Sequence, residues 1–84
     1  MSSLIAHPDT RPTATAVRID GERLAVSLTD GRELLVPLTW FNWLDGSTAE
    51  QRRDLTIIEG GLGIWWEELD EGVSVPWLLG LPHH

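Results

Sequence analysis

Residues 17–37, VRIDGERLAVSLTDGRELLVP, decide the fold. Val17 and Ile19 alternate with Arg18, while Leu24, Val26 and Leu28 alternate with Ala25, Ser27 and Thr29, which is the period-two pattern of half-buried strands. A two-residue loop over Gly21-Glu22 sets Ile19 opposite Leu24 and Val17 opposite Val26, so both apolar sets fall on one face. At the next turn, a two-residue loop over Asp30-Gly31 would put Glu33 beside Leu28 on that face. A three-residue loop, Thr29-Asp30-Gly31 with Gly31 in the left-handed region, instead aligns Leu24, Val26 and Leu28 with Val36, Leu34 and Arg32, and is preferred. Pro37 has no N–H to give to a ladder, so it ends the strand or marks an edge. The stretch reads as an antiparallel β-meander.

Downstream the pattern changes. Trp40, Trp43 and Leu44 share the i, i+3, i+4 spacing of one helical face, which predicts a short helix over Thr39–Leu44. Ser47-Thr48-Ala49-Glu50 has capping-box form, with Ser47 as cap and Glu50 reaching back, and predicts a second helix running to about Leu55. Thr56–Glu59 and Ile64–Trp66 read as a second β-hairpin about the turn Gly60-Gly61-Leu62-Gly63. The acidic run Glu67–Glu71 follows, and Asp70 is expected to cap the turn into Val73 through its side chain. Val73-Ser74-Val75 resumes the alternation, and Pro76 opens a short C-terminal helix carrying Trp77, Leu78 and Leu79. The expectation is an α+β fold: a meander, a helical middle segment, a second hairpin and a terminal helix. Residues 1–13 read as a flexible lead-in, 14–80 as a single domain and 81–84 as a tail.

Composition narrows the chemistry. In 84 residues there are five tryptophans, one phenylalanine, no tyrosine and no cysteine. A domain of this size buries only roughly 60% of its unfolded-chain surface, so it gains from a partner or from a homo-oligomer. Five indoles are more than such a core can hide. Ile64 with Trp66 and Leu44 with Trp43 are the core assignments, whereas Trp40, Trp65 and Trp77 are the expected surface anchors, because strand alternation opposes Trp65 to Trp66 and interface hot spots favour Trp. Thirteen acids against six arginines give a formal charge of −7. That charge disfavours direct binding of nucleic acid and matches a basic protein partner. The absence of cysteine, of a signal-peptide pattern and of any membrane-spanning stretch points to the cytoplasm and away from membranes.

Several chemistries find no support in the sequence. The glycines at 60, 61 and 63 lack the lysine and following helix of a phosphate-binding loop and fit a hairpin turn. His7, His83 and His84 lie in the tails, without metal-ligand spacing. Arg52-Arg53 suits the C-terminal end of a helix better than a nucleic-acid contact. No nucleophile and base pair can be assembled from internal residues, so no catalytic residue, cofactor or metal ligand is assigned and the chain reads as a non-enzyme. The remaining candidate is the acidic turn: Glu67, Glu68, Asp70 and Glu71 form a solvated docking edge for a basic protein, with Trp40, Trp65 and Trp77 as its aromatic companions. The alternative is a small-ligand or divalent-cation site built from Glu68, Asp70 and the neighbouring tryptophans.

The strings Leu28-Thr29-Asp30-Gly31-Arg32-Glu33, Val36-Pro37-Leu38, Glu50-Gln51-Arg52 within the helix Ser47 to Asp54, Gly63-Ile64 followed by Trp66, Leu69-Asp70-Glu71 and Leu78-Leu79 occur in this order. Together they resemble the bacterial domain-of-unknown-function family 2442, over about Val17 to Leu79. The second hairpin of that family usually reads glycine, isoleucine, any residue, tryptophan, proline, any residue, leucine, aspartate, glutamate. Here Glu67 replaces the proline, Gly72 stands where a further acid is common, and Trp65 and Trp77 are additional aromatics. The resemblance implies a compact α+β domain without established catalytic residues. Some members are fused to helix-turn-helix domains, for which 84 residues leave no room. Others are encoded beside a small toxin-like protein, which implies an antitoxin-like role.

Overall fold

The computed structural model describes residues 12–80. The chain runs through β1 (Ala14–Asp20), β2 (Arg23–Leu28), β3 (Glu33–Pro37), a 3-10 turn (Leu38–Trp40), α1 (Asn42–Asp45) and α2 (Ala49–Arg53). It continues through β4 (Leu55–Ile58), a second 3-10 turn (Glu59–Gly61), β5 (Gly63–Trp66), β6 (Glu71–Ser74) and α3 (Val75–Leu78). The strands make two three-stranded antiparallel sheets, β1-β2-β3 and β4-β5-β6, in an α+β fold. The expected second hairpin is thus extended by β6, which folds back on β5 after the acidic turn. The lead-in before residue 12, the tail after residue 80 and all three histidines lie outside the described residues.

In the first sheet the alternation does what the sequence dictates. Ile19 pairs with Leu24 and Val17 with Val26 across the Gly21-Glu22 turn. Leu24 pairs with Val36 and Val26 with Leu34, and the Leu28 N–H bonds the Arg32 carbonyl at 2.9 Å around a three-residue loop. Gly31 sits at φ +92°, the left-handed conformation that loop requires. One feature was not legible in the alternation: a β-bulge between Ala14 and Ala16 shifts the register so that Ala14 opposes Leu28 and turns inward, where it is buried. On the outer face Arg18 reaches across β2 to Glu33, Nη1 to Oε2 at 2.8 Å, and Ala25 beneath is 1% exposed.

The helical middle departs from the expected pattern. Trp40, Trp43 and Leu44 do not share a helical face, because Phe41 is extended at φ −127°, ψ 100° and separates the 3-10 turn from α1. The buried residues are Leu38, Phe41 and Leu44, spaced by three, and this spacing wins because those side chains reach the core. Trp40 is left outside and Trp43 half-buried. The capping box falls one residue later than expected: the Thr48 hydroxyl accepts from the Gln51 N–H and the Gln51 side chain accepts from the Thr48 N–H. Ser47 is committed elsewhere, its hydroxyl donating to the Leu44 carbonyl at 2.6 Å. The helix ends at Arg53 instead of Leu55, since Leu55 is already in β4 opposite Trp66.

The core lies between the sheets. Leu24, Val26 and Leu28 of β2 and Val36 of β3 meet Leu38, Phe41, Leu44, Ile64, Trp66, Val73 and Val75. Trp66 is the largest fully buried side chain. A side chain of this kind contributes roughly 2–3 kcal/mol by burial. Its indole N–H also needs an acceptor, and the Arg52 carbonyl at the end of α2 supplies one at 2.9 Å. The Arg52 guanidinium meanwhile donates to the Leu44 and Asp45 carbonyls at 3.3 and 2.7 Å, closing the C-terminus of α1. One residue thereby ties both short helices to the second sheet.

Candidate functional site

An aromatic series runs from the surface to the core. Trp40 and Trp77 meet edge to face with centroids 6.2 Å apart, and Trp77 lies 5.9 Å from Phe41. Phe41 is 5.7 Å from Trp43, which stands edge-on to Trp66 at 5.3 Å. Each such pair adds about 0.5–1.5 kcal/mol beyond its buried area. Exposure separates the two ends of the series: Trp40 is 58% and Trp77 45% exposed, whereas Phe41 is buried, Trp43 half-buried and Trp66 fully enclosed. The outer pair is therefore an exposed aromatic patch seated against a buried phenylalanine. Trp77 owes its position to α3, where the Ser74 hydroxyl accepts from the Trp77 N–H at 3.2 Å and Pro76 fixes the first turn.

Trp65 belongs to a different place. Its neighbours across the second sheet are Thr56 and Gly72, on the face opposite Trp66. The indole is half-buried, donates to Glu67 Oε1 at 3.0 Å, and lies so close over Gly72 that a Cβ there would fall 2.9 Å from Cε3. Trp65, Glu67 and Gly72 are three of the four departures from the family-like pattern, and they form one contact. The ring lies against Gly72, where there is no side chain to displace it, and Glu67 accepts the ring N–H.

The acidic turn is exposed at Glu67, Glu68, Asp70 and Glu71. Glu68 lies 3.5 Å from the Gln51 amide. The turn closes through its backbone, Asp70 N–H to Glu67 carbonyl at 3.2 Å with Asp70 at φ +53°, in place of the expected side-chain cap. No group of three or more His, Asp or Glu side chains placed to hold a metal ion occurs among the described residues. The expected site residues accordingly divide into two groups. Trp40 and Trp77 stand together beside α3, at the Ser74 end of β6, whereas Trp65 is tied to Glu67 and the acids at the Glu71 end.

Charge divides the same way. Up to Arg53 the chain has seven acids and six arginines; from Asp54 onward it has six acids and no basic residue other than histidine. The ion pairs among the described residues, Arg18 with Asp20 and Glu33, Arg23 with Asp20 and Arg32 with Asp30, all belong to the first sheet and its turns. Hydrogen bonding to Glu33 holds the Arg18 guanidinium above its usual range. The Arg32 backbone N–H holds the Asp30 carboxyl below the usual carboxylate range, with the Arg32 guanidinium assisting. The second sheet has no such compensation among the described residues.

A family model described as a protein of unknown function, DUF2442, matches residues 14–82. The chain belongs to the DUF2442 family. Two solved structures share the DUF2442 chain's fold. A protein of unknown function from Rhodospirillum rubrum is 29% identical with a TM-score of 0.78, and the match covers 89% of this chain and 94% of that one. An uncharacterised protein from Chromobacterium violaceum is 31% identical with a TM-score of 0.70, over 81% of this chain and 64% of that one. No curated protein matches. No helix among the described residues is long and apolar enough to cross a membrane.

Proposed function

We propose that this DUF2442 chain is a non-enzymatic, cytoplasmic protein-interaction module, antitoxin-like in the sense its family resemblance implies, that binds a basic protein partner. The observation that carries the reading is the Trp40–Trp77 pair: two large rings, 58% and 45% exposed, held edge to face above a buried phenylalanine. Large rings fixed before binding lose little side-chain entropy in a complex, and truncating a tryptophan hot spot costs about 2 kcal/mol or more. The charge asymmetry supports the choice of partner, because six acids without an ion pair among the described residues attract a basic surface and repel phosphate backbones.

Affinity capture from the native host, with light scattering on the eluted complex, tests the proposal. The wild-type chain should retain a protein of net positive charge. A W40A/W77A double variant should bind it at least tenfold more weakly while keeping the far-ultraviolet dichroism of the wild type. A wild-type chain that stays a lone monomer and retains no protein overturns the reading.

A further inference from the structure

The outer face of the second sheet carries a groove of about 350 Å³ that the reading above does not use. Its floor is backbone at Gly63 and Gly72, its apolar walls include Ile58, Leu62 and Pro76, and its one charged lining residue is Glu59. The glycines keep the floor open, since a Cβ on Gly63 would lie 3.0 Å from Ile58 Cγ1 and one on Gly72 2.9 Å from Trp65 Cε3. Glu59 Oε1 is 3.7 Å from where that Gly63 Cβ would be, so the carboxylate overhangs the floor. Glu59 is exposed and has no ion pair among the described residues. It also adopts φ +54°, a left-handed conformation that glycine or asparagine would hold with less strain. A strained glutamate at an apolar groove is placed at a conformational cost, and its charge is what a glycine would not provide.

We infer that this groove receives an arginine or lysine side chain from an extended segment of a basic protein partner, the aliphatic stem lying on Ile58, Leu62 and the glycine floor and the cationic head meeting Glu59. Charge complementarity selects this occupant: the groove is apolar along its length and anionic at one point, which matches a long side chain with a cationic tip. The neighbouring strand favours an extended segment, since β6 is the edge of its sheet with Glu71 and Gly72 exposed, and such an edge can pair with an incoming strand. The inference rests on the basic-partner reading but uses residues distinct from Trp40 and Trp77, so the two fail separately.

The test is a titration of the nitrogen-15-labelled chain at low salt with a blocked heptapeptide of alternating valine and arginine, followed by amide resonances. Saturable shifts are expected at Gly63, Gly72 and Ser74. Replacing the peptide arginines with norleucine, or introducing E59Q, should each weaken binding about tenfold or more. E59N should keep or raise the thermal midpoint while losing the same affinity, which separates binding from folding. The proposal is overturned by the absence of saturable shifts, by equal binding of the norleucine peptide or of E59Q, or by shifts confined to Glu67–Glu71. Shifts confined to the Trp40 and Trp77 indoles overturn it too, while leaving the aromatic-patch reading intact.

Discussion

The two sheets have the same strand count and antiparallel order, yet they are held by different means. In the first, strands of five to seven residues pair through local turns, and charged side chains pair with one another across the strands and within the turn between β2 and β3. In the second, every strand is four residues long, and such short strands need support from outside the sheet. That support comes from groups outside the sheet: the Arg52 carbonyl on Trp66 and Ala14 against Gly61. The second sheet also carries the uncompensated acids, the strained Glu59 and the groove. The sheet that is least self-sufficient is the one whose chemistry faces outward.

Two glycines give the sharpest way to break this comparison. Gly31, in the first sheet, is at φ +92°, and a Cβ there would meet nothing within 4 Å. Gly61, in the second 3-10 turn, is at φ +95°, and a Cβ there would fall 2.7 Å from the Ala14 carbonyl oxygen and 2.8 Å from Thr13 Cβ. G31A should cost only the left-handed penalty of about 1–2 kcal/mol. G61A adds a backbone clash and should cost about 4 kcal/mol or more, enough to leave a small domain largely unfolded at ambient temperature. Urea unfolding checks both, and equal losses would mean that the sheets are not docked through this contact.

Local and distant support also explain what could be read in the sequence. The meander was legible to the residue pair because alternation and turn chemistry specify it within twenty-one residues. The bulge at Thr15 was not, since its purpose is to turn Ala14 toward Gly61, some forty-six positions away. The break at Phe41 and the displaced capping box follow from which groups reach the core or bond the preceding helix, and periodicity does not report that. Of the site residues, Trp40 and Trp77 were legible as exposed, but nothing in their spacing places one ring on the other. Glu59 was read only as the end of a strand; a non-glycine residue beside Gly60-Gly61 was the available signal.

A smaller effect tests whether the departures in the second sheet act as a unit. Alone, G72A should destabilise by about 1–2 kcal/mol, because its methyl meets the Trp65 ring. In a W65A background the same change should be neutral or stabilising, since alanine suits a strand better than glycine once the ring is gone. The resulting coupling, on the order of 1 kcal/mol or more, is measurable by a double-mutant cycle in urea. Additive effects would show that Trp65 is not there to cover Gly72, and would free it to be a surface anchor.

The smallest expected effect belongs to the first sheet, whose charges are already paired. Asp30 accepts the Arg32 N–H at 3.0 Å and the Arg32 Nε at 2.8 Å, and these contacts keep its carboxyl below the usual range. A carboxyl whose pKa is lower in the folded than in the unfolded chain takes up its proton only at a lower pH when folded. Its contribution is therefore complete above the unfolded value, about 3.9, and is lost as the pH falls through the folded one. D30N should leave most of the stability at pH 7 in place and flatten the acid limb of the thermal midpoint below about pH 4. The exposure of the pair keeps the effect small. Because the partner is a turn N–H as well as an arginine, salt should weaken only part of it. An acid limb unchanged in D30N would place the acid sensitivity of the fold in carboxylates other than Asp30, the arginine-paired Asp20 and Glu33 of the first sheet included.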